Sequence, residues 1–240
     1  MSGKLNGRII MVTGASQGLG EQVAKHCAAE GATVILIARR RKRMERVYDE
    51  ITASGFPEPF AVCFDLLTAE EGEFSQLAAT ISDAVGGRVD GIVHCASYFT
   101  ALSPLDFQTV GDWVRQYRLN TVAPMGLTRA FVPLLKASDD ASVIFVSESH
   151  SARPQAYWGG FGASKAGLNY LAGVVADEWS RFDNLRANVL IPGAVNSPQR
   201  EQTHPGESKS ERRNPADIMP DFIYWLSAES KGRNGETVYL

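Results

Sequence analysis

Residues 156–167 read AYWGGFGASKAG, and Lys165 is the one with an obvious chemical use. On a helix it shares a face with position 161, one turn earlier, where its ammonium would lower the pKa of an acid and ready it to exchange a proton with a substrate. Position 161 is Phe161, which has no proton to exchange. Tyr157, a further turn upstream, and Glu148 are alternative proton carriers, with Ser147, Ser149 and His150 close by. Glu148 donates only if burial raises its pKa; otherwise it pairs with Lys165 and locks both side chains. Alternation along a regular strand end would turn Ser147 and Ser149 away from Glu148.

A second group of residues suits an anion. Residues 13–20 read TGASQGLG directly after an apolar run. Gly14 permits a tight turn, Gly18 lets backbone approach a pyrophosphate, and Gly20 lets a helix pack close to the strand, with the helix N-terminus meeting the charge. Glycines alone are weak evidence; after a buried strand and opening a helix they carry much more.

The elements that must hold these groups are legible as short apolar runs separated by amphipathic segments. The runs at 8–13, 33–38, 60–65, 89–96, 142–147, 185–192 and 236–240 are too continuous for strands with one wet face, so they predict parallel strands buried on both sides. Helix starts are marked by Thr68 with Glu71, by Ser103 before Pro104 and by Asn214 before Pro215. Alternating strands and helices predict an α/β fold, a doubly wound parallel sheet of about seven strands with helices on both faces, in a single domain spanning 1–240. The polar stretch 196–214 follows a strand end, where open α/β sheets bind ligands, and reads either as a solvated loop or as a substrate lid.

Composition narrows the partners. The net charge of -3 and pI near 5.8 offer no bulk attraction to nucleic acid or anionic lipid. Cys27, Cys63 and Cys95 are odd in number and never in CxxC, which argues against a disulfide framework and a thiolate metal site and fits a reducing cytoplasm. The first apolar run is too short for a secretory signal, and no stretch has the roughly 18 apolar residues of a spanning helix. A soluble protein with a small-molecule substrate is the expectation.

TGxxxGxG near the start, Asp65 closing the third strand, Asn120 after the fourth, Lys165 within ASK and Pro192-Gly193 after the sixth together resemble the classical short-chain dehydrogenase/reductase family over nearly the whole chain. The resemblance implies a Rossmann-type NAD(P)-binding domain, hydride transfer between nicotinamide and a carbonyl or alcohol, and a homodimer or homotetramer paired through the helix after Phe161 and the one near 112–136. Trp158, Tyr170, Trp179 and Phe182 in and around the former read as core and subunit contact. The implied cofactor residues are Gly14, Ser16, Gly18, Leu19, Gly20, Asp65, Leu66, Cys95, Ala96, Ser97, Lys165, Pro192 and Gly193, although Asp65 also reads as a simple strand-end cap. After the second strand, where a carboxylate would bind the ribose of NAD, the chain has Ala38-Arg39-Arg40. Arg39, with Arg40 as a second candidate, suits the 2′-phosphate of NADP(H), in preference to NAD(H); Arg41, Lys42 and Arg43 read as a solvated first turn.

The catalytic positions depart from the family. Asn120 matches an asparagine that supports a proton relay and Lys165 the lysine that binds ribose, but the tyrosine position is Phe161 and the substrate-binding serine is Glu148. HCAS at 94–97 stands where the family has NNAG, so Cys95 replaces an asparagine and Ser97 a glycine. Losing a general acid slows such a reaction by about 10²- to 10⁴-fold, which predicts a weak or silent site unless Glu148 or Tyr157 takes over. From Arg39, NADPH is expected to bind more tightly than NADH, and Arg39→Ala to weaken NADPH about 10- to 100-fold while sparing NADH. Calorimetry with both nucleotides measures this; equal affinities in the parent protein would refute it.

Overall fold

A computed structural model describes residues 3–240. Its order is β1 (Ile9–Thr13), α1 (Gly18–Ala29), β2 (Thr33–Ala38), α2 (Arg41–Ala53), β3 (Phe60–Cys63), α3 (Glu71–Val85), β4 (Gly91–His94), α4 (Val110–Tyr117), α5 (Ala123–Lys136), β5 (Ala141–Val146), α6 (Gly159–Trp179), β6 (Leu185–Ile191), α7 (Pro198–Thr203), α8 (Met219–Leu226) and β7 (Thr237–Tyr239). The strands form one parallel sheet in the order β3-β2-β1-β4-β5-β6-β7. Strand order reverses at β1, so the chains leaving β1 and β4 diverge to opposite faces and open a crevice at the carboxyl edge.

Two-sided burial explains the continuous apolar runs. Along β1, Ile10 and Val12 pack with residues of α1, α2 and α8, whereas Met11 packs with α3, α5 and α6 on the other face. β2 and β5 divide the same way: Leu36 and Ile144 face the first layer, Ile37 and Phe145 the second. The edge strands differ, since β3 alternates between part-buried and exposed residues and β7 is mostly exposed.

Two of the expected helix starts move. Glu70, not Thr68, caps α3, in a reciprocal pair with Glu73. Thr109, not Ser103, caps α4 by accepting from the Asp112 N–H at 3.1 Å, because residues 105–107 form only a single 3₁₀ turn. Asn214 does cap the turn leading into α8, accepting from the Ala216 N–H at 3.0 Å. Between α4 and α5 the chain widens into a π-helical turn, Arg118–Val122, which carries Asn120.

The β1–α1 turn leaves no room for side chains at two of its glycines. A Cβ on Gly20 would lie 2.5 Å from the Gly14 carbonyl oxygen, and one on Gly14 (φ +67°) 3.0 Å from Ala96 backbone. Gly20→Ala is therefore expected to destabilise the protein by about 1–3 kcal/mol and to weaken nucleotide binding with it. Urea denaturation is the measurement, and an unchanged midpoint would show that the turn relaxes freely.

Candidate active site

One cleft of about 400 Å³ lies at the carboxyl edge of the sheet. Gly14, Ser16, Gly18, Leu19 and Gly20 line it from the β1–α1 turn, and Arg39 and Arg40 from the end of β2. Leu66 follows β3, Cys95, Ala96 and Ser97 follow β4, Glu148 follows β5, and Pro192 and Gly193 follow β6. Phe161 and Lys165 reach the same cleft from α6. Residues far apart in sequence meet there because every parallel strand ends on the same edge.

The nucleotide end is built from backbone. The Gly14 N–H donates to the Ile37 carbonyl at 2.9 Å, and the Ala96 N–H to the Thr13 hydroxyl at 3.0 Å, so the β1 turn is tied to the exits of β2 and β4. Gln17 precedes α1 without capping it through its side chain, which leaves the first-turn amides to an outside acceptor such as a phosphate. Arg39 is half-exposed and lies 3.8 Å from the Asp65 carboxylate. Asp65 itself accepts from the Leu67 N–H at 2.9 Å, as a strand-end cap, and does not line the cleft. These donors, and the space kept by glycines, fit a dinucleotide.

At the other end Phe161 is 3% exposed and Lys165 is 4% exposed. Lys165 Nζ donates to the Val146 carbonyl at 2.9 Å and lies 5.9 Å from the centre of the Phe161 ring. Burial pulls its pKa down to about 8, with the Glu148 carboxylate pulling the other way. The Glu148 side chain is 20% exposed; its Oε2 accepts from His150 Nδ1 at 2.7 Å, while Oε1 is buried without a hydrogen-bond partner. His150 stacks flat on Trp158, ring centres 3.7 Å apart. Cys95 is held as a neutral thiol, pushed up to about 12 by burial, and burial likewise pushes His94 down to about 3 beside Thr128.

Two expected catalytic residues lie elsewhere. Tyr157 precedes α6 rather than lying on it, with φ +76° and 56% exposure, and it lines a separate depression with Phe99 and Phe107. Its hydroxyl does not replace the one missing at Phe161, because the helix starts two residues too late to carry it round to the cleft. Asn120 is fully buried and saturated: Oδ1 accepts from the Tyr98 N–H at 2.7 Å and the Ser97 hydroxyl at 3.2 Å, and Nδ2 donates to the Tyr98 carbonyl and Ser164 hydroxyl, both at 2.9 Å. It positions the chain leaving β4 and does not line the cleft.

Strand alternation also fails after β5. The strand stops at Val146 and a 3₁₀ turn begins at Ser149, so Ser147, Glu148 and Ser149 all border the cleft. The 196–214 stretch is no structureless loop. Ser197 caps α7, and Glu207 binds Arg200 in bidentate fashion and also Arg212 at 3.0 Å, folding the segment over the cleft so that Ser197, Arg200 and Thr203 line it. Trp158, read from sequence as core, lines it too. Only its position beside the Gly159-Gly160 helix start hinted at this.

A family model for short chain dehydrogenases matches residues 8–208. The chain belongs to the short-chain dehydrogenase family. The uncharacterized oxidoreductase YciK of Escherichia coli K12 is 35% identical over 233 residues, 97% of this chain and 91% of the relative. Among solved structures, a short chain dehydrogenase from Shigella flexneri 2a complexed with NADP superposes with a TM-score of 0.96 at 34% identity, covering 100% of this chain and 99% of the other. One from Escherichia coli CFT073 complexed with NADPH gives 0.95 at 34%, covering 100% and 98%. The Rossmann-type fold and an oxidoreductase family are thus settled for this short-chain dehydrogenase.

The buried lysine makes a stability prediction. With a folded pKa near 8 against an ordinary 10.5, the unfolded chain holds the extra proton between those values, so this site adds stability as pH rises from about 8 to 10.5 and penalises folding below. Lys165→Met lacks that slope. The stability difference between parent and variant should shift by about 2–3 kcal/mol in the parent's favour between pH 7 and pH 10. Denaturant titrations at both pH values measure it; parallel profiles would contradict the assignment.

Proposed function

We propose that this short-chain dehydrogenase is an NADP(H)-binding oxidoreductase, favouring NADP(H) over NAD(H), with a carbonyl-reducing site that has lost its proton donor. When bound, the cofactor would supply or accept a hydride. Arg39 would hold the 2′-phosphate, with Arg40 beside it, the α1 amides the pyrophosphate, and Lys165 the ribose nearest the nicotinamide. The NADP and NADPH bound by the Shigella and Escherichia relatives support this choice of nucleotide.

The observation that carries the reading of the chemical end is the pairing of a buried, hydroxyl-free Phe161 with Lys165 beside a carboxylate. Without a phenol, an alkoxide forming in the cleft lacks the acid expected beside Lys165, whose own ammonium is tied to the Val146 carbonyl, and Glu148 repels its charge. Reduction of ordinary aldehydes and ketones is weak on this reading. A silent nucleotide-binding homologue with a structural or sensing role is the second reading, favoured by the saturated Asn120 side chain.

Exposed Val110, Val114, Tyr117, Met125, Tyr170 and Val174 on α4, α5 and α6 support a homodimer or homotetramer built through these helices. No described helix is long and apolar enough to cross a membrane; the free Cys27, Cys63 and Cys95 support a cytoplasmic protein, and the charge balance one without nucleic-acid or lipid partners.

Phe161→Tyr alone should do little, because Glu148 would still oppose the oxyanion and raise the new phenol's pKa. The double variant Phe161→Tyr with Glu148→Ser should gain carbonyl reductase activity of about 10²-fold or more, beyond the product of the single effects. Loss of NADPH absorbance over a panel of aldehydes and ketones reports it. Rapid carbonyl turnover by the parent protein, abolished by Glu148→Gln, would instead make Glu148 the acid.

A further inference from the structure

Among the described residues lining the cleft, Glu148 is the only carboxylate. The other charged side chains there are Arg39 and Arg40 at the adenosine end, Arg200 bound by Glu207, and Lys165, which donates to the Val146 carbonyl. Glu148 is held in place through Oε2 by His150 and leaves Oε1 buried and unpartnered. Beside it stand two aromatic rings with centres 6.0 Å apart: Trp158, covered on one face by His150, and Phe161, with the Lys165 ammonium 5.9 Å from its centre. An anion with a free acceptor beside aromatic faces is a site for an organic cation.

Resting on the proposed NADP(H)-dependent reading, we infer that the substrate is a cationic C=N compound, an iminium ion, and that this enzyme interconverts iminium ions and amines rather than carbonyls and alcohols. The chemistry removes the need for the missing residue. A carbonyl oxygen gains negative charge as hydride arrives and must be protonated. An iminium carbon accepts the hydride, the C=N π pair becomes the nitrogen lone pair, and the product is a neutral amine. One C–H bond forms, NADPH loses two electrons to become NADP⁺, and no proton is exchanged in the step. Phe161 then removes no necessary group, and Glu148 offsets the positive charge that Lys165 would otherwise set against the substrate.

The direction of the charge change specifies what Glu148 contributes. Positive charge is lost on reduction, so the carboxylate stabilises bound iminium more than the transition state, and its loss should raise KM without lowering kcat. In the reverse direction positive charge develops, and the same carboxylate promotes amine oxidation by NADP⁺.

The probe is N-methyl-3,4-dihydroisoquinolinium, whose charge is permanent, with 1-tetralone as a neutral ketone of similar size. Calorimetric titration into the NADP⁺ complex, which has no hydride to give, reads binding apart from turnover. The cation should bind at least tenfold more tightly than the ketone and should be reduced by NADPH while the ketone is not. Glu148→Gln should weaken the cation and raise its KM by about 10- to 100-fold, with kcat held or raised. Unchanged NADPH affinity in that variant shows that it is folded. Equal affinity or turnover for ketone and cation, or a cation affinity indifferent to Glu148→Gln, overturns the inference. If NADPH binds and the iminium does not, only the substrate class fails; if NADPH does not bind, the cofactor reading fails first.

Discussion

The close approach of the β1–α1 turn to the chain leaving β4 is the constraint on which the rest of this molecule depends. Gly14 passes over Ala96 with no room for a side chain, Gly20 sits against the Gly14 carbonyl, and the Thr13 hydroxyl ties Ala96 down. That contact sets how far α1 stands from the sheet and so leaves its first-turn amides facing a crevice that strand order has already opened. Leu66, Cys95 and Pro192 reach the same crevice only because parallel strands all end on one edge. On the proposed reading a nucleotide bound there would span from Arg39 to Lys165, both of which line the crevice.

At the far end a buried ammonium, a carboxylate and a phenyl ring share one cleft. Lys165 is buried deeply enough to lose part of its hold on a proton, its ammonium is tied to the end of β5, and the phenol it would ordinarily assist is replaced by Phe161. Glu148 keeps one oxygen on His150, which in turn stacks on Trp158, so the carboxylate belongs to a built assembly of β5, the turn after it and the start of α6. Its remaining oxygen has no partner, which in a buried setting is unfavourable unless a ligand supplies one. On the proposed reading Phe161 and Glu148 share one physical sense, since both would suit a site where positive charge, not negative charge, sits beside the nicotinamide end.

Asn120 shows how one residue type takes different work when its surroundings change. Its amide is fully used in holding Tyr98 and Ser97 to Ser164 of α6, and the π-helical turn that carries it lets it sit at that junction. Ser97 is accommodated in this way: its hydroxyl, absent from the glycine of related motifs, is absorbed by Asn120.

The sequence by itself determined the sheet, the seven strands and the glycine turn, because two-sided burial writes continuous apolar runs and tight backbone contacts leave only glycine. The resemblance it carries puts Phe161 and Glu148 where a phenol and a hydroxyl are expected, since spacing from Lys165 is a property of the chain alone. Helix starts at Thr68 and Ser103 were misread because several nearby residues could cap equally well and packing of α3 and α4 chose among them. Tyr157 looked one turn from Phe161 only if α6 began early, and Ser147 and Ser149 looked away from Glu148 only if β5 ran on. Where a strand stops and a helix begins depends on contacts with the rest of the molecule. That is why only the tertiary structure brought Trp158, Arg200 and Glu148 around one cleft, and why it turned the polar 196–214 stretch, through Glu207 between two arginines, into a folded cover.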